Sequence, residues 1–261
     1  MARQFSIKEW RAVFFELLSA TQAKLFLLTL ATTVVVVPSK AMSLQKIRSI
    51  VEEFMENLGR SFSYMFEDED WFQKILIGAA FCLLSLVLIG IPFVLGYLLQ
   101  VARQSSHGKE LPLPAWDNLG DKFVSGLLFF VIGIIYSIPL AIIYLVLIFI
   151  PCIGWLAMIF IGLSFALILP YITVRFARTG NIGDAFDLSG MWGFLRANLG
   201  NLLIVWVMSI LFQIVAWFGL LALLIGVLFT YFWAQLAIYY LYGRVVYEAE
   251  RTGIPSAVAN T

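Results

Sequence analysis

The chain has 261 residues, of which 62% are hydrophobic and only 13% carry a charged side chain, and its net charge is +1. Soluble domains contain about 25% charged residues, so this composition excludes a soluble globular protein and indicates an integral membrane protein. The nearly balanced charge also excludes the basic surface of a protein that binds nucleic acid.

Residues 1–41 contain an apolar run that is short for a transmembrane helix. Residues 25–37 fall well below the about 20 that cross a bilayer, and an extension back to Leu17 reaches that length but includes Lys24. The run ends in Val-Val-Val-Val-Pro-Ser-Lys, without the small residues at which signal peptides are cleaved. We therefore expect an uncleaved span here, with its absence as the alternative.

Residues 42–70 form a separate amphipathic segment. Apolar residues recur there at spacings of three and four, at Leu44, Ile47, Val51, Phe54, Leu58, Phe62 and Met65. This period predicts a helix that lies along the membrane surface or against a partner. The acidic cluster at residues 67–70 either caps the next helix, with Asp70 at its start, or binds a divalent cation or a basic partner.

Residues 71–248 form the membrane domain, which contains three uncharged runs. Residues 75–102 predict one span with a kink near Ile89, because Pro92 interrupts the helix. Residues 123–174 and 197–243 are each too long for one helix and suit two, so each predicts a helical hairpin. The hairpins divide within residues 151–154 and 218–226, which gives spans at residues 126–150, 155–173, 201–218 and 221–243.

The predicted fold class is all-α. We expect a polytopic transmembrane helix bundle with five spans plus a sixth at the N-terminus, built around two helical hairpins. Aromatic and charged residues alternate in the linkers, which predicts interfacial amphipathic helices there.

A hairpin returns the chain to its starting side, so the basic residues that follow the first span share one face of the membrane, here named the charged face. They are Arg103, Lys109, Lys122, Arg175, Arg178, Arg196, Arg244 and Arg251. The positive-inside rule makes this face cytoplasmic, together with a C-terminal tail at residues 249–261. The acidic cluster at residues 67–70, ahead of the first span, is then expected to face outward.

Two kinds of side chain within the spans are candidate functional residues. Tryptophans near span ends are typical interfacial anchors, and we expect this role for Trp71, Trp116, Trp155, Trp192 and Trp217. The largest polar residues within the spans are Gln213 and Gln235. Hydrogen bonds between helices explain such residues, and substrate binding is the alternative.

Catalytic chemistry is not indicated. The predicted spans after residue 74 contain no ionisable residue, which membrane-embedded catalysis and proton pumping require. The only histidine, His107, lies in a polar loop without a second metal ligand, and Cys82 and Cys152 lie in apolar runs, as expected of inert buried thiols. We therefore expect no enzyme, no cofactor and no bound metal.

A weak internal repeat relates the two linkers. Tyr97, Arg103, Gly108 and Trp116 in one match Tyr171, Arg178, Gly180 and Trp192 in the other. Parallel repeats occur in transporters, and they also arise wherever a membrane bundle is built by duplication.

Several motifs resemble a known family. They are Gly96-Tyr97-Leu98-Leu99-Gln100-Val101-Ala102-Arg103, Leu111-Pro112, Trp116-Asp117, Phe123-Val124-Ser125-Gly126, Tyr136, residues 70–78, and Tyr242-Gly243-Arg244. Over residues 58–248 the chain resembles a prokaryotic multi-pass membrane family known only as domain of unknown function 4013. The resemblance implies a protein of the bacterial or archaeal inner membrane, and it supplies no activity or site. The first 41 residues lie outside the pattern, and Met42 stands where such a protein is expected to start.

Two functional classes remain. The first is an accessory, assembly or scaffolding subunit of a larger membrane complex, whose surfaces bind membrane lipids and other membrane-protein subunits. The aromatic content of 16% favours it, because aromatic side chains supply large contact surfaces without a polar lining. The second is a small-solute transporter or channel built from the repeated hairpins.

Overall fold

The computed structural model describes residues 59–109, 113–219 and 223–253. The chain divides into two compact units at residue 60, and the description below concerns the second, which starts at Ser61. The predicted N-terminal span lies outside the described residues, as do most of the amphipathic segment at residues 42–70 and the end of the tail. The described part of that segment, residues 59–70, includes the 3-10 turn Tyr64–Glu67.

After the end of a helix at residues 59–63, six α-helices follow in the described part of this unit. They are α1 Trp71–Leu84, α2 Gly90–Ser106, α3 Leu119–Leu147, α4 Ile153–Thr179, α5 Leu188–Phe218 and α6 Leu223–Arg251. Helices α3, α4 and α5 are long and apolar enough to cross a membrane. Counting the bent pair Gly59–Glu67 and Trp71–Val87 as one further span makes four at most among the described residues.

The run at residues 75–102 forms two antiparallel helices, so the prediction of one kinked span is wrong. Phe81 of α1 stacks on Phe93 of α2 with 4.8 Å between ring centroids. Nearer the turn, the backbones are so close that a Cβ atom on Gly90 would clash with the carbonyl oxygen of Phe81. Helices α1 and α2 therefore fold back on each other in a tight hairpin.

The position of Pro92 explains the reversal. Pro92 lies in the first turn of α2, where backbone N–H groups have no partner within the helix, so it begins a helix instead of bending one. Ahead of it, the 3-10 turn Ser85–Val87 ends at Leu88, whose φ of 65° is left-handed. Only a glycine at position 90 allows the two backbones to approach so closely.

The α1–α2 hairpin is too short to cross a bilayer. Its helices have 14 and 17 residues, which makes them about 21 Å and about 26 Å long, against about 30 Å of hydrocarbon. Its tip is apolar and exposed, at Leu86, Val87, Leu88 and Ile89. The hairpin therefore starts and ends at the charged face, with its apolar tip pointing away from that face.

This reversal also corrects the placement of the acidic cluster at residues 67–70. The indole Nε1 of Trp116, in the loop after α2, donates a hydrogen bond to the Lys74 carbonyl oxygen at 2.8 Å. The Nζ of Lys74 lies 2.6 Å from Asp68, and Asp70 makes no capping bond through its side chain. The cluster thus lies on the charged face, and Asp68 is its paired member.

The two longer hairpins confirm the sequence prediction. In the α3–α4 hairpin, the Tyr144 hydroxyl donates a hydrogen bond to the Met158 carbonyl oxygen at 3.2 Å. In the α5–α6 hairpin, the Thr230 hydroxyl donates a hydrogen bond to the Ala216 carbonyl oxygen at 2.9 Å. Cys82 is buried in α1, as expected. Cys152 is exposed, contrary to expectation, because it lies in the turn between α3 and α4.

Helices α2 and α6 form the centre of the bundle. Helix α2 packs against α1, α3, α4 and α6, and a Cβ atom on its Gly96 would clash with the carbonyl oxygen of Lys122 in α3. The start of α5 is amphipathic, with Met191 and Phe194 buried and Trp192 exposed, and the helix kinks at Asn198. It matches the interfacial helix expected in the second linker, whereas the described residues 113–118 of the first linker contain no helix.

Candidate functional site

Four of the five candidate anchor tryptophans lie at the surface or near it. Trp155 and Trp217 are 63% and 67% exposed and flank the turns of the two long hairpins. Trp192 is 54% exposed at the charged face, with the Arg196 guanidinium 4.5 Å from its ring centroid. Trp71 is half-buried and meets Phe66 edge-on.

Trp116 occupies a different environment, inside an aromatic cluster. Its ring stacks on Tyr97 at 4.2 Å and on Phe81 at 5.0 Å between centroids. The Tyr97 hydroxyl in turn donates to the Pro114 carbonyl oxygen at 2.9 Å. Trp116 therefore fixes the loop after α2 onto the α1–α2 hairpin.

Gln213 and Gln235 are not brought together. Both are half-buried, and neither forms a hydrogen bond within the portion of the chain that the structure describes. Phe212 of α5 contacts Trp233 of α6, with 5.6 Å between the ring centroids. Because the two helices are antiparallel, Gln213 and Gln235 then lie about one helical turn apart along the helix axes. Each is therefore available to a group outside the described residues.

Gln213 lines an intramembrane cleft, defined here as the cavity of about 300 Å³ where α4 separates from α5 and α6. Ala166 and Pro170 of α4 form one wall. The other wall consists of Leu202, Val205, Trp206, Ser209, Ile210, Gln213, Ile214 and Trp217 of α5, with Tyr242 of α6.

The cleft exists because the α3–α4 hairpin leaves the bundle beyond Pro170. In α4 every residue from Pro170 to Phe176 is buried, whereas closer to the turn only Leu167 and Gly154 are. In α3 the buried residues are Lys122, Gly126 and Ile132, all in the half near the charged face. At Tyr136 the hairpin still contacts the second linker, because its hydroxyl donates to the Ala185 carbonyl oxygen at 2.8 Å and its ring stacks on Phe186. The outer part beyond this contact, at residues 137–166, projects as an arm.

The Gln213 amide is the largest polar side-chain group of the cleft without a hydrogen bond among the described residues. The Ser209 hydroxyl donates to the Val205 carbonyl oxygen at 2.8 Å and shares a hydrogen bond with Tyr242. Ser209 and Tyr242 were not among the predicted candidate functional residues. Ser209 could have been found, because it precedes Gln213 by four residues and so shares its helix face.

Groups with catalytic or metal-binding chemistry do not converge at the cleft. The part of the chain that is described contains no group of three His, Cys, Asp or Glu residues that could hold a metal ion. The Nδ1 of His107 lies 2.7 Å from the Arg103 carbonyl oxygen, at the end of its own helix. The chemistry available in the cleft is hydrogen bonding by an amide within an apolar wall.

Comparison with known proteins gives a family but no activity. The chain matches the family described as protein of unknown function (DUF4013) over residues 80–229, more than half of its length. Among curated proteins and solved structures, none matches the chain. The matched residues include most of the α1–α2 hairpin, all of the α3–α4 hairpin and every lining residue of the cleft except Tyr242. The chain therefore belongs to the DUF4013 family of membrane proteins.

Proposed function

We propose that the protein is a non-catalytic accessory, assembly or scaffolding subunit of a larger complex in the inner membrane, with its charged face toward the cytoplasm. The observation that carries this proposal is the cleft with the Gln213 amide, which forms no hydrogen bond to any residue that the structure describes. A lipid acyl chain can fill an apolar cleft but cannot bond an amide. A transmembrane helix of a partner, with a hydroxyl or amide facing Gln213, satisfies both requirements.

The arm at residues 137–166 supplies the larger part of the proposed interface. Its exposed apolar side chains include three aromatic residues close to the turn, Phe149, Trp155 and Phe160, which are 79%, 63% and 67% exposed. Aromatic anchors dominate the energetics of protein interfaces. We infer that these residues pack against the same partner helices that enter the cleft.

Co-purification of partner subunits with the tagged protein tests the proposal. Gln213→Leu should weaken partner binding by about 1 kcal/mol, or roughly fivefold in affinity. The matched control is Gln235→Leu, which removes the same amide from α6 outside the cleft. The double variant Phe149→Ala/Phe160→Ala should release the partner while the protein stays folded in detergent. If no protein co-purifies with the wild type, the proposal is wrong.

A transporter or channel is the second candidate, and the repeated architecture favours it. Tyr97 of α2 and Tyr171 of α4 are both fully buried, and each bonds the connection that follows its helix, Tyr97 at Pro114 and Tyr171 at Asp187. Flux of a solute into proteoliposomes, abolished by Gln213→Leu in a protein without partners, would establish this candidate in place of the first.

A further inference from the structure

A second cavity, of about 520 Å³, opens at the charged face between the ends of α2, α4 and the start of α3. It is independent of the cleft and shares no residue with it. Its charged lining residues are Arg103, Asp121 and Arg178, each from a different helix. Gln100, Ser125 and Thr179 add neutral polar groups.

The charge of Arg178 is already matched. Its guanidinium holds Glu250 of α6 through two bonds, with Nη1 at 2.5 Å and Nη2 at 3.1 Å, and it also bonds Ser106 of α2. Arg178 therefore forms part of the cavity wall, and its charge is not available to a ligand.

Arg103 and Asp121 remain as one positive and one negative group on the same cavity. Within the described residues neither side chain forms an ion pair, with the other or with any third group. Both side chains are exposed and hydrated, so each can bind a charged group of a ligand. The available charge of the cavity is thus dipolar, with a net value of zero.

Below these groups the cavity becomes apolar. Moving away from the charged face, its lining passes to Leu99 of α2, Val124 and Leu128 of α3, and Phe176 of α4. Val124 is 55% exposed, so α3 presents this wall toward the lipid side of the bundle. The complement of such a cavity is an amphiphile with a dipolar headgroup and an apolar tail.

We propose that this cavity binds a phosphatidylethanolamine molecule, with the phosphate on Arg103, the primary ammonium group on Asp121 and the upper part of an acyl chain against Leu128 and Phe176. The guanidinium fork suits phosphate oxygens, and an ammonium group with N–H donors suits a carboxylate. An anionic phospholipid leaves Asp121 without a counter-charge, and a choline headgroup has no N–H donor to offer it.

The test measures the unfolding midpoint of the purified, delipidated protein in detergent, with dioleoyl phosphatidylethanolamine, phosphatidylglycerol or phosphatidylcholine added at equal mole fraction. Phosphatidylethanolamine should raise the wild-type midpoint most, because ligand binding to the folded state stabilises it. Arg103→Gln should abolish the rise. Asp121→Asn should remove the difference between the ethanolamine and choline lipids.

Lys109→Gln is the matched control, because Lys109 is an exposed cation that does not line this cavity. This variant should keep the wild-type response. An equal rise with phosphatidylglycerol in the wild type, or an unchanged rise in Arg103→Gln, would overturn the proposal. An equal rise with phosphoethanolamine or inorganic phosphate alone would show a soluble phosphate ligand and would also overturn it.

Discussion

Asp187 shows how one side chain organises the second linker. Its carboxylate accepts hydrogen bonds from the Gly190 backbone N–H at 3.0 Å, the Ser189 hydroxyl at 2.8 Å and the buried Tyr171 hydroxyl at 3.1 Å. These bonds, first of all that from Gly190, hold the pKa of Asp187 below its usual range. Asp187 thus caps α5 and also fixes the end of α4 to it.

The lowered pKa of Asp187 predicts a loss of stability in acid. Folding favours the ionised form of Asp187, so its carboxylate contributes to the stability of the fold. This contribution is fully present above the pKa of about 3.9 in the unfolded chain, and it is lost as the pH falls through the lower pKa in the folded chain. The unfolding midpoint should drop as the pH falls below about 5, and the drop should continue to about pH 2. Asp187→Asn, which keeps an acceptor for the cap but cannot be ionised, should show a smaller drop. Asp184→Asn, on the same linker, should behave as the wild type does.

The α1–α2 hairpin is the element that distinguishes the structure from the sequence prediction. An uncharged run of this length suits one span and equally suits two short antiparallel helices, since composition and length are the same for both. What separates them is tertiary: the backbone contact at Gly90 and the stacking of Phe81, Phe93, Tyr97 and Trp116. By contrast, the long hairpins were predictable, because no single helix accommodates such uncharged runs.

The cleft was only partly predictable. Gln213 can be recognised in the sequence as an amide in an apolar run. The divergence of α4 from α5, which exposes Gln213, leaves no signal in the sequence.

Because the two backbones approach closely at Gly90, adding a single methyl group at this position should markedly lower the stability of the fold. Gly90→Ala places the new Cβ against the Phe81 carbonyl oxygen and the Ser85 backbone nitrogen, so the turn must open. We expect a destabilisation of about 1–3 kcal/mol, measured as a lower unfolding midpoint in detergent. Gly133→Ala is the matched control, since a Cβ atom at that position would have no neighbour within 4 Å. Equal midpoints for the two variants would contradict the hairpin.

The hairpin also predicts which positions share a face of the membrane. In a Cys152→Ser background, Glu69→Cys and Lys109→Cys should react with an impermeant maleimide from the same side, because α1 and α2 return the chain to its starting face. Both native positions are exposed. In the wild-type chain, the exposed Cys152 should react from the opposite side. A single span at residues 75–102 would instead place the two introduced cysteines on opposite sides.

At the scale of the whole molecule, one ion pair joins the charged-face ends of three helices. Arg178 at the end of α4 binds Glu250 near the end of α6 and both the hydroxyl and the carbonyl oxygen of Ser106 at the end of α2. The Arg178 and Glu250 side chains are 12% and 26% exposed. These partial exposures make the bonds less screened than those of a surface pair.

Arg178→Gln should therefore destabilise the bundle by about 1–3 kcal/mol. This is the range expected when one partner of a hydrogen bond is removed and the other, here charged, is left unsatisfied. The comparison is Arg251→Gln, which removes a contact with Glu248 within α6 at 3.3 Å from a side chain that is 49% exposed, and it should cost only about 0.5 kcal/mol. Unfolding midpoints in one detergent give both values. A double variant with Glu250→Gln should cost less than the sum of the two single changes.

The tips of all three hairpins are free of charge, and this has a consequence for biogenesis. Residues 75–102, 123–174 and 197–243 contain no Asp, Glu, Lys, Arg or His, and each run leaves the charged face and returns to it. Insertion of this part of the chain therefore transports no charged side chain through hydrocarbon, where each would cost about 3 kcal/mol or more. Nor does it move charge through the electric field of the membrane. We expect these hairpins to insert equally well into energised membranes and into membranes depolarised with a protonophore, as measured by protection of the nascent protein from protease.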